Sequence, residues 1–404
     1  MNTHRLLSLS LALSTTLVSQ TTLAAAFQLF ELGTPIMGAA AVGQAANNFD
    51  ASASYFNPAG MGYLKDPEFM IGSQIMVPYI TFAKNTSNTI SGDSGGNAGN
   101  LLPGASFYFV YPLSEKLKLG VSMTSPYGGA LNYTDGWAGR YVIQSALFYT
   151  ININPTVAYR FNDYVSVGGG LALEYMNLHQ TVALPAGPID GQLNIKVDNF
   201  RPGFNLGIMF TPTPATKIGV AYRSQISHDL TGSSTFLRFG STPPVSTEMI
   251  MPHNIIASLS QDIGSRFTAL GELGWSNWSS MQNSILYIKN VSATTPRKWT
   301  DTYRIGGGGQ FKLLPNLIWQ AGVSYDSSPT DVANRLPDLP MDSQWRAATG
   351  IIYNATKAIT LGFSYEYWNL GSALIHNAST NGVLAGSYSN NFANIIQGSI
   401  SVKL

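Results

Sequence analysis

The chain has 404 residues, a net charge of +1 and only 11% charged side chains, less than half of the roughly 25% usual in soluble proteins. Near-neutrality speaks against a nucleic-acid partner, which calls for clustered Lys and Arg. The absence of Cys excludes disulfides, thiolate metal sites and Cys nucleophiles. Mean hydropathy is +0.06, and no apolar run reaches the roughly 18 residues that a spanning helix needs. Low charge, 40 Gly and 11% aromatics suit a transmembrane β-barrel, in which only alternate residues face lipid.

Residues 1–24 read as a secretory signal. His4 and Arg5 give a short positive start, residues 6–18 form a Leu-rich apolar stretch, and Thr22-Leu23-Ala24 ends in small residues suited to cleavage. Ala24-Ala25-Ala26 is a competing cleavage site.

Residues 25–65 show little strand periodicity and almost no charge, Glu31 and Asp50 being the main exceptions. Residues 39–46 are expected to form a short helix. Within 47–62, the Asn57-Pro58 step favours a turn, because the proline ring keeps the preceding residue out of the helical region. A separate domain of this size would lack a core, so the segment is expected to pack as a plug inside something larger.

Residues 66–404 alternate with a period of two, which places alternate side chains on opposite faces of a strand. Leu317, Trp319, Ala321, Val323 and Tyr325 alternate with Ile318, Gln320, Gly322, Ser324 and Asp326. Ile359, Leu361, Phe363, Tyr365 and Tyr367 alternate with Thr360, Gly362, Ser364 and Glu366. About fourteen such runs are expected, an even number as in closed bacterial barrels. They centre on Ile75, Phe107, Val121, Ile153, Leu171, Leu206, Val220, Ala257, Leu270, Ile305, Ala321, Ala348, Phe363 and Ile400. Loops are expected at 85–100, 185–192, 240–246, 327–339 and 377–386. The fold class is thus all-β: an antiparallel transmembrane barrel with an N-terminal hatch of short helices in its lumen. A soluble sandwich would alternate similarly, but would not explain the leader or the low charge.

If the apolar faces meet lipid, Glu174, Arg223, Glu272, Arg304, Asp326, Arg346 and Glu366 point into the lumen, where pairing with each other and with the plug would fill the interior. Catalytic constellations are poor. His179, His228, His253 and His376 are scattered without metal-ligand spacing, and no G-x-S-x-G stands out. Gly306-Gly307-Gly308-Gly309 lacks the Lys-Ser/Thr of a phosphate loop and continues a strand. No enzyme activity, cofactor or metal is expected. Ser125-Pro126-Tyr127-Gly128-Gly129 interrupts the third strand, since Pro removes a ladder donor and Gly-Gly cannot pack a wall. This is either an ordinary strand end or a side opening.

The chain resembles the FadL/TodX family of outer-membrane transporters for long-chain fatty acids and other hydrophobic compounds. The resemblance runs from Ala25-Ala26-Phe27-Gln28-Leu29 through Asn57-Pro58-Ala59, Ser125-Pro126-Tyr127-Gly128, Ala221-Tyr222-Arg223-Ser224 and Asp301-Thr302-Tyr303-Arg304. It continues to Tyr325-Asp326-Ser327-Ser328-Pro329 with Asn334-Arg335 and Leu339-Pro340. It implies a monomeric outer-membrane barrel amid lipid and lipopolysaccharide, with Asn57, Pro58 and Ala59 in the hatch. Phe27 and Leu29 would border the ligand pocket, and Ser125, Pro126, Tyr127 and Gly128 the lateral exit. Family pockets for fatty acids use basic side chains. None maps onto the fifth strand, where His179 and Gln180 stand, and Arg297 and Lys298 are candidates by nearness alone. Long-chain fatty acids are the expected cargo, with aromatic or other neutral hydrocarbons the alternative. An adhesin or structural barrel would not need a hatch, and a hydrophilic porin would leave the lumen open.

Overall fold

The computed structural model describes residues 27–185, 189–237 and 242–404. The leader expected at 1–24, and parts of the loops expected at 185–192 and 240–246, lie outside these ranges. Fourteen antiparallel strands close into one barrel, five of them interrupted once. They are β1 (Glu68–Tyr79), β2 (Leu102–Pro112), β3 (Leu117–Thr124 with Gly128–Asn132), β4 (Ser145–Arg160) and β5 (Val165–Leu184). Next come β6 (Gly191–Thr213), β7 (Thr216–Arg223 with Ile226–Leu237), β8 (Pro244–Met251 with Asn254–Ile263) and β9 (Phe267–Ser276 with Asn283–Ile288). β10 (Val291–Pro296 with Thr302–Leu314), β11 (Leu317–Asp326), β12 (Gln344–Asn354), β13 (Ile359–Asn369) and β14 (Phe392–Lys403) complete the wall. The seam joins β1 to β14 in unbroken register from Glu68↔Lys403 to Tyr79↔Phe392.

Alternation explains why the strands sit this way round. On β1, Ile71, Ile75, Val77 and Tyr79 are exposed while Met70, Gln74 and Met76 are buried. On β11, Trp319, Val323 and Tyr325 are exposed while Gln320, Ser324 and Asp326 are buried. The exposed apolar side chains form a belt that only lipid can cover, and the lumen takes the polar set. Short turns lie at the seam's Glu68–Lys403 end, and long connections lie at the other end, as in outer-membrane barrels.

At the long-loop end, a small sheet pairs Ala83–Lys84 with the hairpin Ala373–Ser379/Gly382–Tyr388. The segment expected as a loop at 377–386 is therefore mostly strand. One face of this hairpin buries Ile375, Leu384 and Tyr388, which stabilises it beyond its local turn composition.

The hatch lies within the lumen. It consists of 3-10 turns Pro35–Ala39, Gln44–Ala46 and Pro58–Tyr63 and the single-turn helix α1 (Ala53–Phe56). The single helix expected over 39–46 does not form. Ala40 (φ 55), Ala41 (φ 60) and Gly43 (φ 94) take left-handed backbone, a conformation that costs Ala energy. The reversal directs the Ala40 carbonyl at Arg304 and the Gly43 and Gln44 amides at Glu272, and these buried charged contacts compensate for it.

The wall makes room for the hatch by omitting side chains. A Cβ on Gly219 would lie 1.7 Å from the Ala45 carbonyl oxygen, and one on Gly207 would lie 1.9 Å from Asn57 Oδ1. Asn57 ties three segments together. Its Nδ2 donates to the carbonyls of Ala45 (2.7 Å) and of Ile208 on β6 (3.1 Å), and its Oδ1 accepts from the Ala59 amide (3.1 Å). Pro58 follows as the first residue of the 3-10 turn, where its missing N–H costs nothing. Asn57→Ala is expected to destabilise the hatch by about 1–3 kcal/mol. The measurement is hydrogen exchange, with faster exchange at the amides of 53–63 and unchanged protection in the barrel ladder.

Candidate ligand cavity and gap in the wall

The ladder between β2 and β3 runs only from Pro112↔Lys118 to Phe107↔Met123. Beyond it β3 keeps its ladder to β4, from Gly128↔Tyr149 to Asn132↔Ser145, and loses its ladder to β2, with a single bridge from Leu131 to Gly99 ahead of β2. The physical cause is Pro126, which has no N–H to offer β2, together with the attachment of Tyr127 to β4. The Tyr127 amide donates to Thr150 Oγ1 (3.2 Å), and the Thr150 amide donates to the Tyr127 carbonyl (2.9 Å). The interval is occupied by the start of the hatch. The Leu29 amide donates to the Pro126 carbonyl (2.9 Å), the Gly128 amide donates to the Phe27 carbonyl (3.2 Å), and Gln28 bridges Tyr127. A two-bond patch of N-terminal chain thus stands in the gap of the third strand.

Directly behind the patch lies a cavity of about 590 Å³, within the roughly 300–1,000 Å³ typical of small-molecule sites. Phe27 and Leu29 line it, as do Gly128 and Gly129. Phe27 sits in an aromatic cluster, with ring centroids 4.7 Å from Phe148, 5.7 Å from Trp299 and 6.4 Å from Trp278. Ser125, Pro126 and Tyr127 border the gap rather than the cavity. Pro126 and Tyr127 instead line a small void beneath it with Glu174 and Arg223.

Of the two basic candidates, only Arg297 reaches the cavity. Lys298 is exposed and turned away, with its amide bonded to the Gln282 carbonyl (3.0 Å). Gln180 lines the cavity, and its neighbour His179 does not. Three of the five Arg297 guanidinium N–H groups are bonded. Nη1 and Nη2 donate to Asp338 Oδ1 (2.9 Å) and Oδ2 (2.6 Å), and Nε donates to Ser284 Oγ (2.9 Å). Asp338 belongs to the connection between β11 and β12, which roofs the cavity with Leu336, Leu339 and Met341. That roof is fixed elsewhere as well. Within it buried Arg335 pairs with Asp342 (3.0 Å). From outside, Asn391 Nδ2 donates to the Pro340 carbonyl (2.7 Å), and the Tyr133 hydroxyl donates to the Pro337 carbonyl (3.1 Å) while sharing a hydrogen bond with the Tyr388 hydroxyl (2.7 Å). Burial pushes both phenols above their ordinary pKa, so they stay neutral donors.

Six of the seven lumen charges make hydrogen bonds, and Glu366 makes only an ion-pair contact. Arg304 donates to Glu272 (3.0 Å), to Asp326 (2.8 Å) and to the Ala40 carbonyl of the hatch (2.7 Å). Arg346 donates to Glu31 of the hatch (2.8 Å) and to Asp326, with Glu366 at 3.6 Å. Arg223 donates to the Tyr55 carbonyl and stacks 3.6 Å over its ring. Glu174 accepts from Asn152 (2.9 Å) and faces His228 at 3.2 Å. Through these charges β7, β9, β10 and β12 grip the hatch, and β1 adds Glu68, which accepts from the Ala51 amide (3.2 Å). Sequence reasoning missed Asp338, Trp299 and Phe148 as cavity-lining residues and Trp278 as a neighbour of Phe27, because only the fold brings these distant segments together.

Comparison with known proteins accords with this geometry. Residues 15–397 match the model of a family described as outer membrane protein transport protein (OMPP1/FadL/TodX). A long-chain fatty acid transport protein of Salmonella typhi is 26% identical, the match covering 89% of this chain and 91% of that protein. The crystal structure of a Pseudomonas aeruginosa FadL homologue superposes with a TM-score of 0.87 at 20% identity, over 94% of this chain and all of the other (100%). The Ralstonia pickettii toluene transporter TbuX shares the fold at a TM-score of 0.72 and 17% identity, over 93% of this chain and 100% of its own.

Proposed function

Because the chain belongs to the OMPP1/FadL/TodX family of outer-membrane transport proteins, we propose that it admits neutral hydrophobic molecules, aromatic hydrocarbons above all, through the gap in its third strand. As a family member it is an outer-membrane channel for hydrophobic small molecules, not a catalyst. The observation that carries the choice of cargo is the closed fork of Arg297. Among the described residues, Arg297 is the one cation lining the cavity, its fork is already paired with Asp338, and Glu248 adds a second carboxylate. A fatty-acid carboxylate placed there would lose its hydration and find the Arg297 fork already filled, which is costly. A neutral ring or chain loses nothing comparable and gains the Phe27, Phe148 and Trp299 surfaces. The Salmonella typhi relative, named for long-chain fatty acids, supports those acids as the second reading.

Cargo enters the cavity from the long-loop end, moves Phe27–Leu29 off β3, and leaves sideways into the membrane. The barrel works as a monomer surrounded by lipid and lipopolysaccharide. The hatch blocks the axial path and the lateral route avoids a watery lumen, so a poorly soluble molecule never crosses bulk water. The test is uptake of labelled toluene and labelled oleate by cells with the protein, without it, or with residues 126–128 rebuilt as continuous strand. Toluene uptake is expected to need the intact gap and to exceed oleate uptake. Equal toluene uptake in all three would remove the transport route, and a larger gain for oleate would reverse the cargo order.

A further inference from the structure

The geometry points to Asp338 as the residue that sets cargo specificity: its carboxylate occupies the fork of Arg297 and so excludes acids from a cavity that could otherwise hold them. This deepens, and rests on, the neutral-cargo reading above. Three observations meet at one place. Arg297 and Asp338 both line the cavity. Their contact is a bidentate pair at 2.9 and 2.6 Å, with side chains 15% and 16% exposed. The guanidinium is also held through Nε by Ser284, itself a cavity-lining residue, at 2.9 Å, so it keeps a tether at the cavity if its partner leaves.

A planar guanidinium recognises any carboxylate with the same two parallel bonds. Asp338 and a ligand acid therefore compete for one position, and the internal partner wins because it is tethered. Asp338 reaches Arg297, in the break of β10, from a connection 41 residues along the chain. That connection is anchored independently by Asn391, whose Nδ2 donates to the Pro340 carbonyl (2.7 Å), and by the Tyr133 hydroxyl. Removing the Asp338 carboxylate leaves the roof attached and the cation unpaired. Excluding acids thus follows from filling the cation's fork, not from lacking a cation.

The experiment uses the full-length protein in lipid nanodiscs, with binding read from the fluorescence of the tryptophans around Phe27. The probes are dodecanol and dodecanoate, which share a chain and differ at the head group, at a pH where the acid is ionised. Asp338→Asn and Asp338→Ser are each expected to tighten dodecanoate by about tenfold or more and to leave dodecanol within about twofold. Arg297→Gln added to either variant is expected to abolish the gain. An unchanged dodecanoate-to-dodecanol ratio in both variants overturns the proposal, including the case where both probes weaken together because the carboxylate merely tethers the roof. A gain that persists without Arg297 overturns it as well. Wild-type protein that prefers dodecanoate sinks the neutral-cargo reading instead, and the ratio of variant to wild type still decides the role of Asp338.

Discussion

Oxidation of a Gln28→Cys/Tyr127→Cys variant is expected to stop uptake, and reduction is expected to restore it. Gln28 and Tyr127 face each other across the short patch between the hatch and β3. The flanking bonds, Leu29 to Pro126 and Gly128 to Phe27, make them a non-hydrogen-bonded antiparallel pair, whose Cα atoms lie about 4.5 Å apart. That spacing falls within the roughly 4.4–6.8 Å of disulfides. The chain has no Cys of its own, so only the introduced pair can form. A cross-link of this kind stabilises the closed arrangement by about 2–4 kcal/mol, enough to cut the open population more than tenfold. Toluene uptake before and after dithiothreitol is the measurement. Full uptake in the oxidised protein, with the disulfide verified by mass, would mean that Phe27–Leu29 does not have to leave the gap.

Arg346→Leu is expected to free the hatch while leaving the barrel assembled. Arg346 is fully buried, binds Glu31 of the hatch and Asp326 of the wall, and lies 4.2 Å over Trp368. Without it, Glu31, Asp326 and Glu366 share the lumen with Arg304 as the nearest remaining cation. Breaking a buried pair by removing one partner costs about 3–5 kcal/mol, more than a short segment of one-turn helices can absorb. The strand ladder does not depend on that side chain. The readout is ion conductance in planar bilayers, expected to be absent in the wild type and to appear in the variant. A silent variant would show that the glycine-lined contacts hold the hatch without the charges.

The barrel was legible in the sequence because its signal is local. The two-residue alternation around Ala321 or Phe363 needs no knowledge of any partner strand, and all fourteen expected centres fall in the fourteen strands. Non-local features were not legible. The hairpin over Ala373–Ser379 and Gly382–Tyr388 looks like a loop by composition and is stabilised by side chains it covers elsewhere. The left-handed turn at Ala40 and Ala41 contradicts their helix preference, and is held by Glu272 and Arg304 more than two hundred residues away. At the cavity, nearness in sequence singled out Arg297 and Lys298 equally. The structure separates them, and what decides the chemistry of Arg297 is an acid on another connection. The break at Ser125-Pro126-Tyr127 was readable as a lost donor, but the chain segment that fills it was not.

Phe27 takes part in two equilibria at once. Its ring contributes to the cavity, and its carbonyl accepts from Gly128 in the gap. Occupancy and wall closure are therefore linked variables, and a molecule shifts the second only by its difference in affinity between the two states. A compound that fits equally well with Phe27 in or out opens nothing, however tightly it binds; full switching requires a difference of about 5.5 kcal/mol. Affinity and throughput thus part company in this channel. The tightest ligands of the closed form act as blockers, and a good cargo is one held weakly until Phe27 has gone.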